Sequence, residues 1–289
     1  MRPEPGDKSL TVTAQDVAAG VREVGVEPGD IVMFHSSLSS MGTVVGGPDT
    51  VIEGFLQAVG PEGTVAVPTL WWNGSQDLSE WDYDTSPSYP GIITETFRQR
   101  PDSIRSNNPT HSVSAIGPQA AELTADHGKW GLRPCLFGDA AFAGASPWER
   151  LYRWDAHYCF LGVDFTVNTM GHYCQSVLVE WALAQAPEST RADLDARVSR
   201  WEAVLDYYRR TRAGESATTN FTWPGYDFRG MGEYLAELGL VRFSTIGSAT
   251  LRAIGSRVMV DTILETLKDE PDKWFSEPFL SWWHEAMGS

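Results

Sequence analysis

Three cysteines in 289 residues, Cys135, Cys159 and Cys174, are an odd set with no paired spacing. That excludes a disulfide framework and a cysteine zinc site, and reads as reduced, mostly buried thiols. Positive charge is scarce too: 22 Lys and Arg stand against 38 Asp and Glu, a formal charge of −16. Nucleic acid is a poor partner for such a chain, whereas an acidic cleft concentrates a polyamine or another cation. No apolar run approaches the ~20 residues of a bilayer helix, and the opening residues lack the basic, apolar and small-residue order of a signal peptide. The expectation is a soluble, cytoplasmic protein. Also missing are the Gly-Lys-Ser/Thr of a Walker loop, a GxGxxG fingerprint and the close ligand pairs of metal sites such as His-Glu-x-x-His. A phosphate-bearing ligand therefore needs local N–H donors or a few arginines to offset the overall field.

What is present is αβ alternation, in a chain long enough for one α/β domain with a sizeable core. Thr13 and Asp16 form a capping pair ahead of the helix face Val17, Val21 and Val24. The apolar run Ile31–Phe34 delivers His35-Ser36-Ser37-Leu38-Ser39-Ser40 to a strand's carboxyl end. Gly42, Gly46 and Gly47 follow, and Pro48 opens a helix. Small residues leave backbone N–H groups accessible, so this strand, loop and helix are a candidate grip for a phosphorylated cofactor, or simply a connection.

Thr64–Pro68 and Val113–Ile116 read as strands, Ile92–Arg98 as a short helix, and Gly117-Pro118 as the start of a helix through His127. Ser146-Pro147-Trp148-Glu149 is a helix start, and His157–Val163 the strand after it. Residues 231–240 and 248–267 read as two amphipathic helices, with Trp274, Trp282 and Trp283 in a docking tail. Residues 1–9 read as a loose arm. No Pro- or Ser-rich linker divides the chain, so 1–289 is expected to be one domain. Within it, 187–224 is a solvated helix pair, a lid or an acceptor-binding insertion.

Two stretches carry chemistry. After Gly162 a polar turn leads to Asn168 or Thr169 as a helix cap, which puts His172 in the helix's first turn. The positive end of the helix disfavours an imidazolium, so His172 is a candidate general base or, equally, a structural histidine. Ser176 and Gln175 are expected to face away from the core. The second stretch, Leu70–Pro90, sets Trp71, Trp72, Trp81, Tyr83 and Tyr89 among Asp77, Glu80, Asp82 and Asp84. Rings interleaved with acids suit a sugar or a cationic ligand, and a loop of this length is uncommon without a function.

Taken together, His35-Ser36-Ser37-Leu38, Met41-Gly42, Val45-Gly46-Gly47, Gly63-Thr64, Val67-Pro68-Thr69, Asn108–Gly117, Ser146-Pro147, Leu161-Gly162-Val163 and Asn168-Thr169 with His172 resemble the aminoglycoside 3-N-acetyltransferase family. The blocks keep their order over most of residues 15–180. The resemblance implies a single compact domain with a central mixed sheet flanked by helices, distinct from the common small acetyltransferase fold. It also implies transfer of acetyl from acetyl-CoA, with no metal, to an amine of an aminoglycoside antibiotic, as in antibiotic resistance. By the family motifs Ser36, Ser37, Leu38, Gly42, Val45, His111, Ser112 and Val113 line the cofactor, while Thr169 and His172 lie at the reacting centre as thiolate donor and base. The acceptor is expected among Trp71, Asp77, Asp82, Asp84 and Glu202. Many relatives carry an acid where Gln175 stands, so an orienting carboxylate must come from elsewhere or be absent.

Other readings stay open: the same donor chemistry on another amine of natural-product metabolism, a metal hydrolase on His35, His111, Asp164 and His172, or a non-catalytic binder using the aromatic loop. Oligomeric state and acetylated position are not encoded legibly. Thiol release from acetyl-CoA with a panel of amines is expected for aminoglycosides alone. Release with other amines instead favours the second reading, and binding without release the last.

Overall fold

Ile31–Phe34, Thr64–Pro68 and Cys159–Leu161 are buried along nearly their whole length, as suits strands covered on both faces. In the computed structural model, which describes residues 4–74 and 76–288, they lie at the centre of the sheet. The first half of the chain contains β1 (Thr11–Val12), α1 (Ala14–Glu23), β2 (Ile31–Ser36), β3 (Thr43–Val44), α2 (Pro48–Val59), β4 (Thr64–Pro68), α3 (Ile92–Gln99), β5 (Ile104–Arg105), β6 (Val113–Ile116) and α4 (Ala120–Thr124). The second contains α5 (Pro147–Arg153), β7 (His157–Leu161), α6 (Thr169–Gln185), α7 (Glu188–Arg197), α8 (Trp201–Arg212), α9 (Phe228–Glu237), β8 (Arg242–Ile246), β9 (Ala249–Gly255), α10 (Ser256–Asp269), α11 (Pro271–Trp274) and α12 (Phe279–Met287).

Seven strands form one mixed sheet in the order β5-β6-β4-β2-β7-β9-β8. β2 runs parallel to β4 and β7, and antiparallel strands close both flanks. Alternate side chains feed two cores: Phe34 and Cys159 join the one under α1 and α2, while Met33, Tyr158 and Phe160 join the one under α5, α6, α10 and α12. The parallel centre brings Ser36, Pro68 and Leu161 out on the same edge, the place where ligand crevices form in such sheets.

Three expectations are corrected. Residues 249–255 are strand, not helix: β8 and β9 form a hairpin about Gly247 and Ser248, the φ of 59° at Gly247 being one a side chain rarely adopts, and α10 starts only at Ser256. Ala249, Leu251 and Ala253 are buried while Thr250 and Arg252 are half-exposed, the period of two that marks a strand. The helix expected through His127 stops at Thr124. The arm is not loose where it is described: Glu4 N donates to Gly162 O at 3.1 Å, and Thr43 N to Leu10 O at 2.8 Å. Residues 1–3 of that arm lie outside the described residues. Among the described residues no helix is long and apolar enough to cross a membrane.

Phe34 on β2 stacks on Phe55 of α2 with ring centres 4.0 Å apart, both fully buried. Truncation there empties the joint that seats α2 on the sheet. Phe34→Ala is expected to cost about 3–5 kcal/mol of stability, read as a lower urea midpoint at unchanged slope. A loss under ~1 kcal/mol would mean that the neighbours collapse into the space.

Candidate active site

Beyond β2 the chain cannot continue extended, because Ser37 N donates to Leu161 O at 2.9 Å and a single 3₁₀ turn, Leu38–Ser40, follows. Gly42, at φ 104°, then redirects it toward β3. Under this loop lies a cavity of about 960 Å³. Ser36, Ser37, Leu38 and Gly42 line one side, Pro68, Leu70 and Tyr89–Thr94 another, and Val163, Val167 and Thr169 the inner end. Ser36 Oγ is buried there without a protein partner. His35 also reaches the cavity, its Nε2 2.8 Å from Tyr158 Oη, and burial pulls its ring down to about 3, so it is neutral.

The cavity ends against the start of α6. Asn168 stands at the cap position without a side-chain capping bond, Thr169 opens the helix, and His172 lies one turn further along the same face. The His172 ring is half-buried in a collar of Phe137 and Phe228, with ring centres 4.8 and 5.0 Å away, and His111 at 6.0 Å. Its Nδ1 is 2.8 Å from Gln175 Oε1. Gln175 Nε2 donates to Pro224 O at 2.8 Å, which fixes the amide and leaves Oε1 to accept from the ring. Nδ1 therefore carries the hydrogen and Nε2 the lone pair. Burial lowers the affinity of His172 for a proton, and the Gln175 bond opposes it only in part.

Gln175 thus takes the orienting place for which a carboxylate was sought, and Gln175 and Ser176 are buried rather than turned outward. On the helix's other side Tyr173 Oη donates to Glu149 at 2.9 Å, and Arg133 and Arg153 each meet Glu149 at 2.6 Å. This network, chiefly Arg133, holds the Glu149 carboxyl below its ordinary range despite burial. It locks α6 to α5.

Not every expected residue meets the cavity. His111, Ser112 and Val113 stand behind its wall: Val113 and Ser112 are fully buried, Ser112 Oγ donates to Thr69 O at 2.7 Å, and His111 packs on Phe137 and Phe142. The family motif put them at the cofactor, but in this structure neighbouring elements cover them. Val45 points to solvent at 56% exposure, and Val44 takes its place in the wall. Trp71 is buried against Trp81; Asp77 caps the short turn at Leu78–Glu80, Asp82 accepts from Thr85, and Asp84 is exposed. None of these four contacts His172 among the described residues. Glu202 opens α8, where its charge, with that of Asp195, acts on Asp139.

Asp139 had no motif to announce it. Burial first, then Asp195 and Glu202, raise its proton affinity against the pull of Arg200, 3.7 Å away. It follows Phe137, which touches His172, by two residues. Phe137 and Phe228 were equally silent in the sequence, since lone aromatics in polar segments give no period. His35 and Asp164 do not converge with His172 either, for Asp164 pairs with Arg229 at 3.1 Å, and among the described residues no group of three His, Cys, Asp or Glu is placed to hold a metal ion.

A histidine in the first turn of α6, next to a long and mostly apolar cavity, is an arrangement that acyl transfer can use. The model of the aminoglycoside 3-N-acetyltransferase family matches residues 33–268. Aminoglycoside N(3)-acetyltransferase VII of Streptomyces paromomycinus is 28% identical over 278 residues, covering 86% of this chain and 89% of the relative. Aminoglycoside N(3)-acetyltransferase IV of a Salmonella species is 30% identical over 250 residues, covering 86% and 84%. A solved AAC-IIIb, binary with CoASH, shares the fold with a TM-score of 0.66 at 22% identity, over 93% of this chain and 99% of that one. The chain belongs to the aminoglycoside 3-N-acetyltransferase family.

His35, His111, His127 and His172 all bind protons less readily folded than unfolded, chiefly through burial, with His35 held to about 3 and His127 to about 4. Unfolding therefore takes up protons once the pH falls below ~6.5, the ordinary imidazole value, and stability drops as pH falls through that window. Asp139, raised, works in the opposite sense. Between pH 7 and pH 5 the unfolding free energy is expected to fall by on the order of 1 kcal/mol per fully neutral histidine per pH unit, read as a lower urea midpoint. A midpoint that is level across this range would contradict the burial of these rings.

Proposed function

We propose that the protein transfers the acetyl group of acetyl-CoA to an amine of an aminoglycoside antibiotic, the amine attacking the thioester directly with His172 as general base. One observation carries this reading: burial lowers the proton affinity of His172, its Nδ1 is committed to Gln175, and the residue stands one helical turn beyond Thr169, which lines the cavity. The curated relatives are named for N(3) transfer, and the AAC-IIIb structure holds CoASH, which supports the same donor and acceptor class here.

The chain's own residues suit the donor. Acetyl-CoA supplies an activated acyl group. The cavity is mostly apolar, as a pantetheine arm requires, and Ser36 Oγ offers a buried donor with no other partner. Leu38 and Gly42 wall the arm, the start of α6 directs its positive end toward developing oxyanion charge, and the Thr169 hydroxyl donates to the departing sulfur. His172 Nε2 takes the amine's proton directly or through one water.

The acceptor side is acidic. Asp139, Asp195 and Glu202 surround the single Arg200, which leaves an excess of negative charge beside the His172 collar. Asp77, Asp82 and Asp84 are exposed acids on the aromatic loop. Trp71 and Trp72 are buried against Trp81, Trp201 and Tyr208, so these rings shape the loop, and recognition of a polyamine falls mainly to the carboxylates. A cytoplasmic setting suits an enzyme that consumes acetyl-CoA and keeps three free, buried cysteines.

His172→Ala is expected to lower kcat by ~10²–10⁴ while coenzyme A binding, read by calorimetry, persists. In the wild type kcat is expected to fall on the acid side with an apparent pKa below ~6.5, since the base must be unprotonated. Loss of less than fivefold in the variant, or an acid limb above that value, removes His172 from the role assigned.

A further inference from the structure

The described residues that line the cavity include one side chain of permanent charge, Lys8. Coenzyme A carries phosphates on its nucleotide end, and a chain of charge −16 repels them unless something local answers. Lys8 is fixed at both ends: Thr43 Oγ1 donates to its carbonyl at 2.9 Å, and its ammonium donates to Gly42 O at 2.8 Å. Two of the three ammonium hydrogens remain for a ligand. The side chain is exposed, so it stands at the mouth rather than the floor.

The segment that carries Lys8 is fastened to the cofactor loop. Ser40 Oγ donates to Glu4 O at 2.7 Å, the Glu4 carboxylate accepts from Thr250 N and from Arg252, each at 2.8 Å, and Asp7 N donates to Ser248 Oγ at 2.9 Å. The two pieces approach so closely that only glycine fits at the contact. A Cβ on Gly6 would collide with Ser39 O, and one on Gly42 would lie 2.6 Å from Asp7 O. Residues 4–10 are therefore a strap with a set position, and Lys8 cannot drift far from the cavity edge.

We propose that this strap is part of the donor site and that Lys8 binds a phosphate of the nucleotide end of coenzyme A. The consequence is a preference for coenzyme A thioesters over thioesters of the phosphate-free pantetheine arm. The inference rests on the reading of the cavity as the acetyl-CoA site. A charge-assisted contact of this kind acts on binding and not on the acyl transfer itself, so it separates KM from kcat.

The test compares acetyl-CoA with acetylpantetheine as donors to one aminoglycoside, in the full chain. Lys8→Met is expected to raise KM for acetyl-CoA roughly five- to tenfold with kcat within about twofold, and to shrink the preference over acetylpantetheine by the same factor. The rise of KM with added KCl should flatten in that variant, because the screened charge pair is gone. Lys8→Arg should restore most of the preference. Equal KM changes for both donors, or none for either, overturn the assignment. If the wild type releases no thiol from acetyl-CoA with any amine, the donor reading fails and the proposal with it, an outcome visible without the variants.

Discussion

An amide has two unlike ends, and in Gln175 the Pro224 carbonyl chooses between them. Because Nε2 donates to Pro224, Oε1 is the atom left for His172, and the ring must present its hydrogen at Nδ1. A carboxylate in the same place would fix the same tautomer, but it would also stabilise an imidazolium and draw protons onto the ring. The amide orients without charge. Burial then lowers the ring's proton affinity, opposed in part by the Gln175 bond, which suits the base of the proposed reaction. Pro224 belongs to the segment that follows α8, so the tautomer in α6 is set from a segment distant along the chain.

The two sides of His172 differ in charge for a physical reason. Toward the cavity the wall is apolar, with serine hydroxyls, the neutral His35 and the lysine at its rim, and no carboxylate lines it among the described residues. A negative ligand with a long apolar arm meets least resistance there. Toward α8 the balance reverses: Asp139 is partly withdrawn from water, Asp195 and Glu202 add negative charge, and Arg200 pairs with Asp139 and Asp195. A cation entering on that side would offset the repulsion among these acids. In the proposed reaction donor and acceptor are thus sorted by field before any shape is read.

Much of this was legible from the chain alone. Caps at Thr13 and Ser146, the glycine turns after β2 and the strand-length apolar runs announce their elements directly, because local hydrogen bonds and burial on both faces leave little choice. His172 was legible as a first-turn residue and Thr169 as its neighbour across the turn. What escaped was everything decided by distant packing. β9 alternates over only seven residues and runs straight into α10 at Ser256 without a break, so its segment merged with the helix after it until the pairing with β7 and β8 was seen. The arm reads as polar and unstructured, yet its glycine lets the backbone lie against Ser39. The segment of Phe137 and Asp139 and that of Phe228 come from distant parts of the chain, and no spacing along the chain joins either to His172.

The aromatic loop shows how one segment serves both sides without linking their fates. Its ends meet, Tyr89 N donating to Leu70 O at 2.7 Å, and both residues face the cavity. Arg105 secures them: it donates to the carbonyls of Thr69 and Ser86 and to Ser112 Oγ, and lies 4.5 Å from the Trp81 ring. Burial, with Arg98 nearby, lowers it only to about 10, so it stays a cation held by neutral oxygens. The far part of the loop rests instead on α8, through Trp72 against Trp201 and Tyr208 at 4.6 and 5.3 Å. The two parts of the loop are thus held by separate contacts, the cavity side by the Arg105 staple and the far side by aromatic packing on α8.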